Sequence, residues 1–411
     1  MEFKPLQNLF GFFGYLRGKD NYTQTNVFEQ HQILSGKNPI WVTVSNQESH
    51  LFKTTPELYS VIMKKATLYS NGIFKHYKTV KGVDVEVENS EVIKLLNNPN
   101  PLQSKTEWMI EELIHSSIYG NSFVFGLKAF DSQKTPSMLY NLPADRMVVN
   151  PTGLIFKQNK ISDIIEKFTL KGMDGKNEDY KVSEVIYSKV TNPNSSIIGL
   201  SPLHSLQMPI SNIRGAYGYR NVIIEEKGAI GILSGGSGGG ISGNSIPLSG
   251  EDRTKLENQF VNDYGTSSRK KKIMITKTPV SWQPMTYPTK DLMLFEEISS
   301  DLRIIIDVFG LNENLFSKEK GTTFTNLNEA KKITYQDCII PYANDFTYKL
   351  SDYFGLSEIG EKIVLDYSHI EALQENELDK STVISNKVNT LINLMSNGYS
   401  KEEAETIVGL K

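Results

Sequence analysis

The sequence predicts an α+β fold in which a pair of long helices leads out to a small α/β insert and back. Three features carry this prediction. The first half of the chain mixes amphipathic helices with alternating strands, separated by turns rich in proline and asparagine. Residues 201–228 and 290–310 show helical spacing on either side of the insert at 229–289. A further long helix follows, and Pro341 inside it is expected to kink it.

Residues 51–200 carry the elements of the mixed half. A helix follows Thr55, where apolar residues recur at helical spacing. The alternation in GIFKHYKTVKGVDVEV predicts a β-hairpin, and the turn formers of LLNNPNP then interrupt the chain. A second helix, capped by Ser104 or Thr106, runs from about Thr106 to Tyr119 and stops at Gly120. Strands in NSFVFGLKAF and MVVNPTGLIFKQ complete this half.

The helix at 201–228 begins with Ser201 as its cap and Pro202 at the first helical position, where a missing N–H costs no hydrogen bond. Apolar residues then recur at alternating spacings of three and four, which is typical of a narrow coiled-coil stripe. The stripe consists of Leu203, Leu206, Ile210, Ile213 and Tyr217. The returning helix has a similar side formed by Leu294, Ile298, Leu302 and Ile305.

The insert between these helices starts with LSGGSGGGISGNS at 233–245, whose glycines predict a flexible segment. A short helix capped by Ser249 and a β-hairpin around Thr278 and Pro279 follow it. The insert also holds the one basic run of the chain. This run fits best a solvated turn before a strand, and the alternative is a contact with a partner protein or with phosphates. Its residues are Arg269, Lys270, Lys271 and Lys272.

The composition excludes several classes of function. With 44 basic and 47 acidic residues among 411, the net charge of -3 argues against a wide basic face that grips nucleic acid. Cys338 is the only cysteine, so an internal disulfide is impossible and a reducing cytoplasm fits. No run reaches the ~18 apolar residues of a membrane span. Residues 1–50 read as an amphipathic N-terminal arm rather than an export signal.

Enzyme signatures are weak. The patterns G-x-G-x-x-G and G-x-S-x-G both fall in the glycine tract, where the strand and helix that they require are not predicted. No P-loop pattern exists, and the histidines lack the spacing of a metal site. We therefore expect no catalytic residue, no metal and no cofactor. Carboxylates at Glu296, Glu297, Asp301 and Asp307 fit a solvated helix face, although a metal-dependent nucleic-acid enzyme stays open as an alternative.

The paired helices predict self-association. Two antiparallel helices cannot cover each other's apolar stripes on all sides, so exposed stripes imply neighbours. Identical neighbours packed head to tail close into a ring. In such a ring, the connection SKEKGTTFTN between the returning helix and the Pro341 helix would point toward the axis.

An ordered series of segments resembles the portal proteins of tailed bacteriophages over roughly residues 55–370. The segments are LLNNPNP, TEWMIEELIHSSIYGNSFVFG, YNLPADRMVV, GLSPLHSL, IIIDVFGLNENLF and TNLNEAKKITYQDCIIPYANDF. The resemblance implies a ring, typically of twelve subunits, at one capsid vertex, through which double-stranded DNA is packaged and ejected. It also implies a terminase, a head–tail adaptor and the major capsid protein as partners, no membrane contact, and a virion location after assembly in the host cytoplasm.

The resemblance implies a portal fold, which has an α/β wing, a two-helix stem, a small α/β clip and a short helical crown. Each of these parts is assigned to the chain by its position in the sequence. The assignment is an N-terminal arm at 1–50, the wing at 51–200, stem helices at 201–228 and 290–310, the clip at 229–289, a tunnel loop at 311–325, a wing-side kinked helix and strand at 326–370, and the crown at 371–411. The stem stripe would pack neighbouring subunits together, and the basic run of the clip would meet a partner.

The tunnel loop would line the DNA channel. Its mixed charges suit transient contact, because each firm phosphate contact adds a salt-dependent barrier to sliding. The residues concerned are Ser317, Lys318, Glu319, Lys320, Thr322 and Thr323. A different head-completion or adaptor protein is the second alternative, although adaptors tend to be much smaller.

Overall fold

The chain divides into two compact units. The first comprises Met1–Ser49, Met63–Leu203 and Lys331–Lys411, and the second comprises His50–Ile62 and His204–Ala330. The computed structural model describes residues 40–41, 47–130, 133, 135–153, 161–225, 231–235, 250–251, 253–255, 258, 280–284, 294–316, 324–401, 404 and 407.

Helices and strands are mixed along the chain, as the sequence predicts. In chain order the elements are β1 (Ile40–Trp41), α1 (Gln47–Thr54), α2 (Pro56–Ser70), β2 (Ile73–Val80), β3 (Val83–Glu86), α3 (Glu91–Asn97), α4 (Lys105–Tyr119), β4 (Asn121–Leu127), β5 (Met138–Leu142), β6 (Met147–Pro151), α5 (Ile161–Ile164), β7 (Ile165–Lys171), β8 (Asn177–Lys181), β9 (Val185–Lys189), α6 (Gln207–Glu225), β10 (Gly231–Gly235), β11 (Val280–Pro284), α7 (Leu294–Val308), α8 (Phe324–Thr334), α9 (Ile340–Tyr353), β12 (Glu361–Asp366) and α10 (Glu371–Ser396).

Three antiparallel sheets belong to the first unit, in the orders β1-β6-β7-β8, β12-β2-β3 and β5-β4-β9. The second of these joins distant parts of the sequence, because β12 pairs along β2 with Asp366 opposite Ile73 and Glu361 opposite Lys78. The predicted hairpin is confirmed as β2 and β3, and the strand predicted within residues 326–370 is confirmed as β12.

Helix α4 shows why its ends could be located from the sequence. Ser104 caps the helix: its hydroxyl accepts a hydrogen bond from the Glu107 N–H, and the Glu107 carboxylate accepts one from the Ser104 N–H at 2.8 Å. This reciprocal capping box satisfies two N–H groups that the helix leaves unpaired. The helix ends at Gly120, whose φ of 68° is left-handed. A Cβ there would lie 2.2 Å from the Leu200 carbonyl oxygen, so only glycine fits.

Trp108, Met109 and Leu113 on the buried face of α4 pack into the core of the first unit, together with Phe346 and Leu350 of α9. All five side chains are shielded from solvent almost completely. Large aromatic and aliphatic side chains of this kind supply most of the free energy that offsets the ordering of the chain. The core therefore depends on a helix from the first half of the chain and one from its last quarter.

The long helix is irregular next to Pro341, where the sequence predicts a kink. A π-helical turn at Tyr335–Ile339 joins α8 to α9 immediately before the proline. Proline has no N–H to donate to the carbonyl four residues earlier, and its ring crowds that turn. A wider π turn relieves this crowding while the chain stays helical.

The insert contains at least one strand pair, in which Gly231 lies opposite Pro284 and Gly235 opposite Val280. Residues 233–235 therefore belong to β10, and the predicted flexible segment begins too early in the sequence. Residues 236–249 and the first strand of the hairpin predicted around Thr278 and Pro279 lie outside the described residues. In the part of the chain that the structure describes, no helix has both the length and the apolar character needed to cross a membrane.

Candidate functional site

The sequence predicts function for three groups of residues, and the structure describes one of them, the stripe at the start of the stem. The tunnel-loop residues and the basic run lie outside the described residues and stay predictions. The residues concerned are Ser317, Lys318, Glu319, Lys320, Thr322 and Thr323 in the loop, and Arg269, Lys270, Lys271 and Lys272 in the insert.

The stripe faces the interior of the protein. Its four aliphatic side chains are at most 2% exposed in the single chain; they are Leu203, Leu206, Ile210 and Ile213. On α7, the side chains of Ile305 and Ile306 are buried as well, and α6 packs against α7. Side chains that the chain already covers leave no surface for another subunit. The prediction that these four residues pack subunits together is therefore wrong; they stabilise the subunit itself.

Tyr217, the last residue of the stripe, is 36% exposed and makes a polar contact instead. Its hydroxyl donates a hydrogen bond to the Glu57 carboxylate at the start of α2. This hydrogen bond, with a further contribution from burial, raises the pKa of Tyr217 to about 12. Tyr217 therefore ties α6 to α2 within the second unit.

Asp301 on α7 is the buried carboxylate of the helix pair. Burial raises the pKa of Asp301, and the side-chain hydrogen bond from Asn212 of α6 opposes this rise. The interaction joins α6 to α7. An amide that donates to a desolvated carboxylate compensates part of the cost of burying it.

The other carboxylates of α7 do not gather into a metal site. Glu296, Glu297 and Asp307 are exposed, while Asp301 is turned toward α6. Among the residues that the structure describes, no group of three or more His, Cys, Asp or Glu side chains could hold a metal ion. The arrangement of α7 is that of a helix with one buried and one solvated side.

The outward faces of the helix pair combine apolar and charged groups. Met208 of α6 is 72% exposed, and Ile304 and Val308 of α7 are each more than two-fifths exposed. Arg214 of α6 and Asp307 of α7 are exposed as well. Both faces thus offer apolar side chains beside charged ones.

The chain is firmly anchored just before the tunnel-loop residues. Helix α7 ends in a Schellman motif, in which the Gly310 N–H donates to the Asp307 carbonyl at 3.0 Å and the Leu311 N–H to the Ile306 carbonyl at 3.1 Å. A 3₁₀ turn at Glu313–Leu315 follows, and the Arg303 guanidinium pairs with the Glu313 carboxylate at 3.1 Å. Helix α8 starts at Phe324 on the other side of the loop.

A buried polar centre lies in the first unit between α4, β4 and α9. The Glu112 carboxylate is fully buried and accepts hydrogen bonds from the Ser122 hydroxyl at 2.7 Å and the Tyr342 hydroxyl at 2.9 Å. Burial raises the pKa of Glu112 to about 7, although both hydrogen bonds oppose the rise. Tyr342 directly follows Pro341, so the centre fixes α9 just after the π turn.

Sequence reasoning missed this centre. The only signal was the position of Glu112, four residues after Trp108 and four before Ser116, which places a carboxylate on the apolar face of α4. Its partners lie on other elements, and nothing in their spacing links them to it.

The chain was compared with known proteins. The family model described as "Phage portal protein" matches residues 56–392. A Rickettsia felis (strain ATCC VR-1525 / URRWXCal2) protein described as "Uncharacterized protein" is 26% identical over 300 residues, which cover 71% of this chain and 73% of that protein.

Three solved structures share the fold. A chain from the virion of a native gene transfer agent (GTA) particle has a TM-score of 0.59 and 17% identity, covering 90% of this chain and 95% of that one. A chain from the neck of the native GTA particle, computed with C12 symmetry, has a TM-score of 0.57 and 16% identity, covering 93% and 99%. An HK97 family phage portal protein from Corynebacterium diphtheriae has a TM-score of 0.52 and 10% identity, covering 79% and 96%.

Proposed function

The chain belongs to the phage portal protein family, and we propose that copies of it form the ring-shaped channel at one capsid vertex through which double-stranded DNA is packaged and ejected. The observation that carries this proposal is the extent of the family match. Residues 56–392 include both helices of the pair, the insert between them and the connection to α8. The likeness to a neck component solved with C12 symmetry supports a ring, and we propose twelve subunits.

The subunits meet through the outward faces of the helix pair rather than through the buried stripe. In a head-to-tail ring, the α7 face with Ile304 and Val308 would lie against the α6 face of the next copy. Arg214 would then approach Asp307 of the neighbour. Apart from the backbone of α6 and the adjoining residues, no described atom lies within 4 Å of the position that a Cβ would take at Gly215 or Gly218, which leaves room for a second helix to approach closely.

The tunnel loop would contact the duplex, and the insert would serve as the docking platform for the terminase and later for the head–tail adaptor. The hydrogen-bonded turn before the loop supports this assignment, because it holds the start of the loop in one position and so limits where a short loop can extend. The role is structural, without catalysis, and the assembled ring belongs to the virion after assembly in the host cytoplasm. The major capsid protein would surround it.

The mass of the purified chain in solution, followed by negative-stain imaging, tests the proposal. A homogeneous ring with a central hole is expected. A monomer with metal-dependent nuclease activity would contradict the proposal. It would favour the alternative of a metal-dependent nucleic-acid enzyme that uses the carboxylates of α7. A small ring that binds only an existing portal would instead favour an adaptor.

Deletion of Lys318 to Thr323 tests the role of the loop. We expect rings of unchanged mass and particles that package or retain less DNA, because the deletion removes channel contacts and leaves the helix pair intact. As a control, replacement of Lys318 and Lys320 by serine keeps the loop length and isolates the contribution of charge. Loss of the ring after the deletion would count against a channel role for the loop.

A further inference from the structure

A serine, a histidine and a carboxylate form a hydrogen-bonded chain within the first unit. The Ser90 hydroxyl oxygen lies 2.8 Å from Nδ1 of His76, and Nε2 of His76 lies 3.0 Å from the Glu361 carboxylate. Ser90 and Glu361 are 14 and 285 positions away from His76, so no sequence pattern links the three. A hydroxyl, an imidazole and a carboxylate in this order are the parts of a base-activated nucleophile.

The sheet β12-β2-β3 and the turn after it bring the three residues together. Strand β12 pairs antiparallel with β2 in a register that puts Glu361 on the face of the sheet that carries His76. After β3, the Val87 N–H donates to the His76 carbonyl at 2.8 Å and holds the chain beside the histidine. Asn89 then turns the chain with a left-handed φ of 57°, and Ser90 follows as the cap of α3.

The hydrogen-bond partners decide which nitrogen of His76 carries the proton. An ionised carboxylate only accepts, so Nε2–H donates to Glu361. Nδ1 of the neutral ring is then left to accept from the Ser90 hydroxyl. The other Glu361 oxygen pairs with Nζ of Lys78 at 3.3 Å. His76 is 5% exposed while Ser90 is partly exposed, so a shielded base stands behind a hydroxyl that solvent reaches.

The cap of α4 shows that a capping serine does not need a histidine. The Ser104 hydroxyl donates to the Glu107 carboxylate at 2.8 Å within its own helix turn. The Ser90 hydroxyl oxygen accepts only a long hydrogen bond, at 3.4 Å, from the Ile93 N–H of α3. Its proton is directed at an imidazole from another element, which is the group that can remove it.

We propose that Ser90 is a nucleophile that His76 activates for the hydrolysis of acyl esters, and that Glu361 positions the imidazole. Oγ of Ser90 attacks the acyl carbonyl carbon while its proton passes to Nδ1 of His76. The bond from that carbon to the alcohol oxygen breaks, and Nδ1 returns the proton to the leaving alcohol. Water then attacks the acyl-serine and gives a proton to Nδ1, which passes it to Ser90 as the acid leaves. This activity is additional to the channel proposed above.

The surroundings of Ser90 favour esters that are uncharged or positively charged. Glu88 and Glu91 stand on either side of it in the sequence and are exposed, as is Glu86 at the end of β3. A substrate that carries phosphate would meet charge of its own sign there. The site therefore suits acyl esters rather than the phosphodiesters of DNA.

A fluorophosphonate tests the nucleophile, because Oγ of Ser90 would displace its fluoride and keep the phosphorus. The folded full chain is labelled, and mass spectrometry locates the modified peptide. We expect Ser90 to react and Ser104, the cap without a histidine, to stay unmodified. Ser90→Asn keeps a capping side chain but has no hydroxyl, so it should lose the label with an unchanged circular dichroism spectrum. Absence of label on Ser90, or labelling of Ser104 at the same rate, would overturn the proposal.

Hydrolysis of p-nitrophenyl acetate tests the base. After subtraction of the spontaneous rate, His76→Gln and Ser90→Asn should each be about 100-fold or more slower than the unsubstituted chain, since a positioned general base contributes roughly that much or more. Bis(p-nitrophenyl) phosphate should stay intact with all three proteins. Equal hydrolysis of the acetate by all three would overturn the proposal, and cleavage of the phosphodiester alone would do so as well.

The positioning role of Glu361 has its own readout. Glu361→Gln should lower kcat about tenfold or more and leave KM unchanged, because an amide no longer fixes the proton on Nε2 of His76. The exposed Glu358→Gln should leave both constants unchanged. Equal kcat values in these two variants would remove Glu361 from the mechanism. None of these measurements requires assembled copies, so their outcome is independent of whether a ring forms.

Discussion

Among the residues that the structure describes, each of the two compact units contains one buried carboxylate, and their surroundings differ. In the first unit, Glu112 is enclosed by the core and receives hydrogen bonds from two hydroxyl groups. In the second, Asp301 is held by the amide of Asn212 between two helices whose outer faces expose Met208 and Ile304. The polar contacts of Glu112 are therefore completed within one chain. The helix pair completes only its inner side, and its outer side is available for other copies.

The largest expected effect is the loss of stability when the core of the first unit is disrupted. Phe346→Ala should lower the free energy of unfolding by about 3–5 kcal/mol, because it removes a fully buried ring and leaves a cavity. Tyr348→Ala on the same helix is the control, since Tyr348 is 68% exposed. Urea unfolding followed by circular dichroism measures both variants. A similar loss in the two would show that α9 does not form this core.

The second prediction concerns pH and Glu112. The unfolded chain releases this proton near pH 4.5, whereas burial holds the pKa of folded Glu112 at about 7. Between these values the folded state binds more protons than the unfolded state, so stability falls as pH rises. The loss is on the order of 3 kcal/mol, complete above pH 7.

Glu112→Gln has no proton to lose and should remove this dependence, whereas the exposed Glu358→Gln should leave it unchanged. Urea unfolding at pH 5 and pH 7.5 gives the difference for each variant. If the free energy of unfolding of Glu112→Gln still falls between pH 5 and pH 7.5, another group titrates in this range.

The third prediction sharpens the contrast between the inner and outer sides of the helix pair. Ile304→Asp should leave the subunit folded and should weaken ring assembly about tenfold, because burying one aliphatic side chain contributes at least ~1.5 kcal/mol. Ser299→Asp adds the same charge toward another side of α7 and serves as the control. Sedimentation across a dilution series measures the effect. If the Ile304→Asp and Ser299→Asp rings dissociate at the same protein concentration, the subunit contact does not involve this face of α7.

The smallest expected effect concerns Tyr217. Tyr217→Phe removes the hydrogen bond to Glu57 but keeps the ring, so the free energy of unfolding should fall by about 1 kcal/mol or less. Assembly should not change, because this contact lies within the subunit. Thermal unfolding of the isolated subunit and the mass of the assembly provide the two readouts. A dissociated assembly would assign Tyr217 to the interface after all.

Local signals predicted the individual elements well. The cap candidates Ser104 and Thr106 and the stop at Gly120 predicted the ends of α4, and the structure has this helix at Lys105–Tyr119 with Ser104 as its cap. Alternation predicted β2 and β3, and the ordered series of segments predicted the portal family, whose model matches residues 56–392. Signals of this kind come from residues that are close together in the sequence, so they can be identified without the structure.

The sequence by itself determined where many helices and strands form, because caps, turns and hydrophobic periodicity act over short distances. It also indicated the family, through the resemblance of an ordered series of segments to portal proteins. Only the tertiary structure decided whether an apolar helix face is covered within the subunit or exposed to solvent. The periodicity of Leu206, Ile210 and Ile213 predicts an apolar side but does not say whether the same chain or another covers it, and the fold buries that side within the subunit. The meeting of Glu112 with Ser122 and Tyr342 likewise depends on packing between distant elements, for which a single sequence holds no local signal.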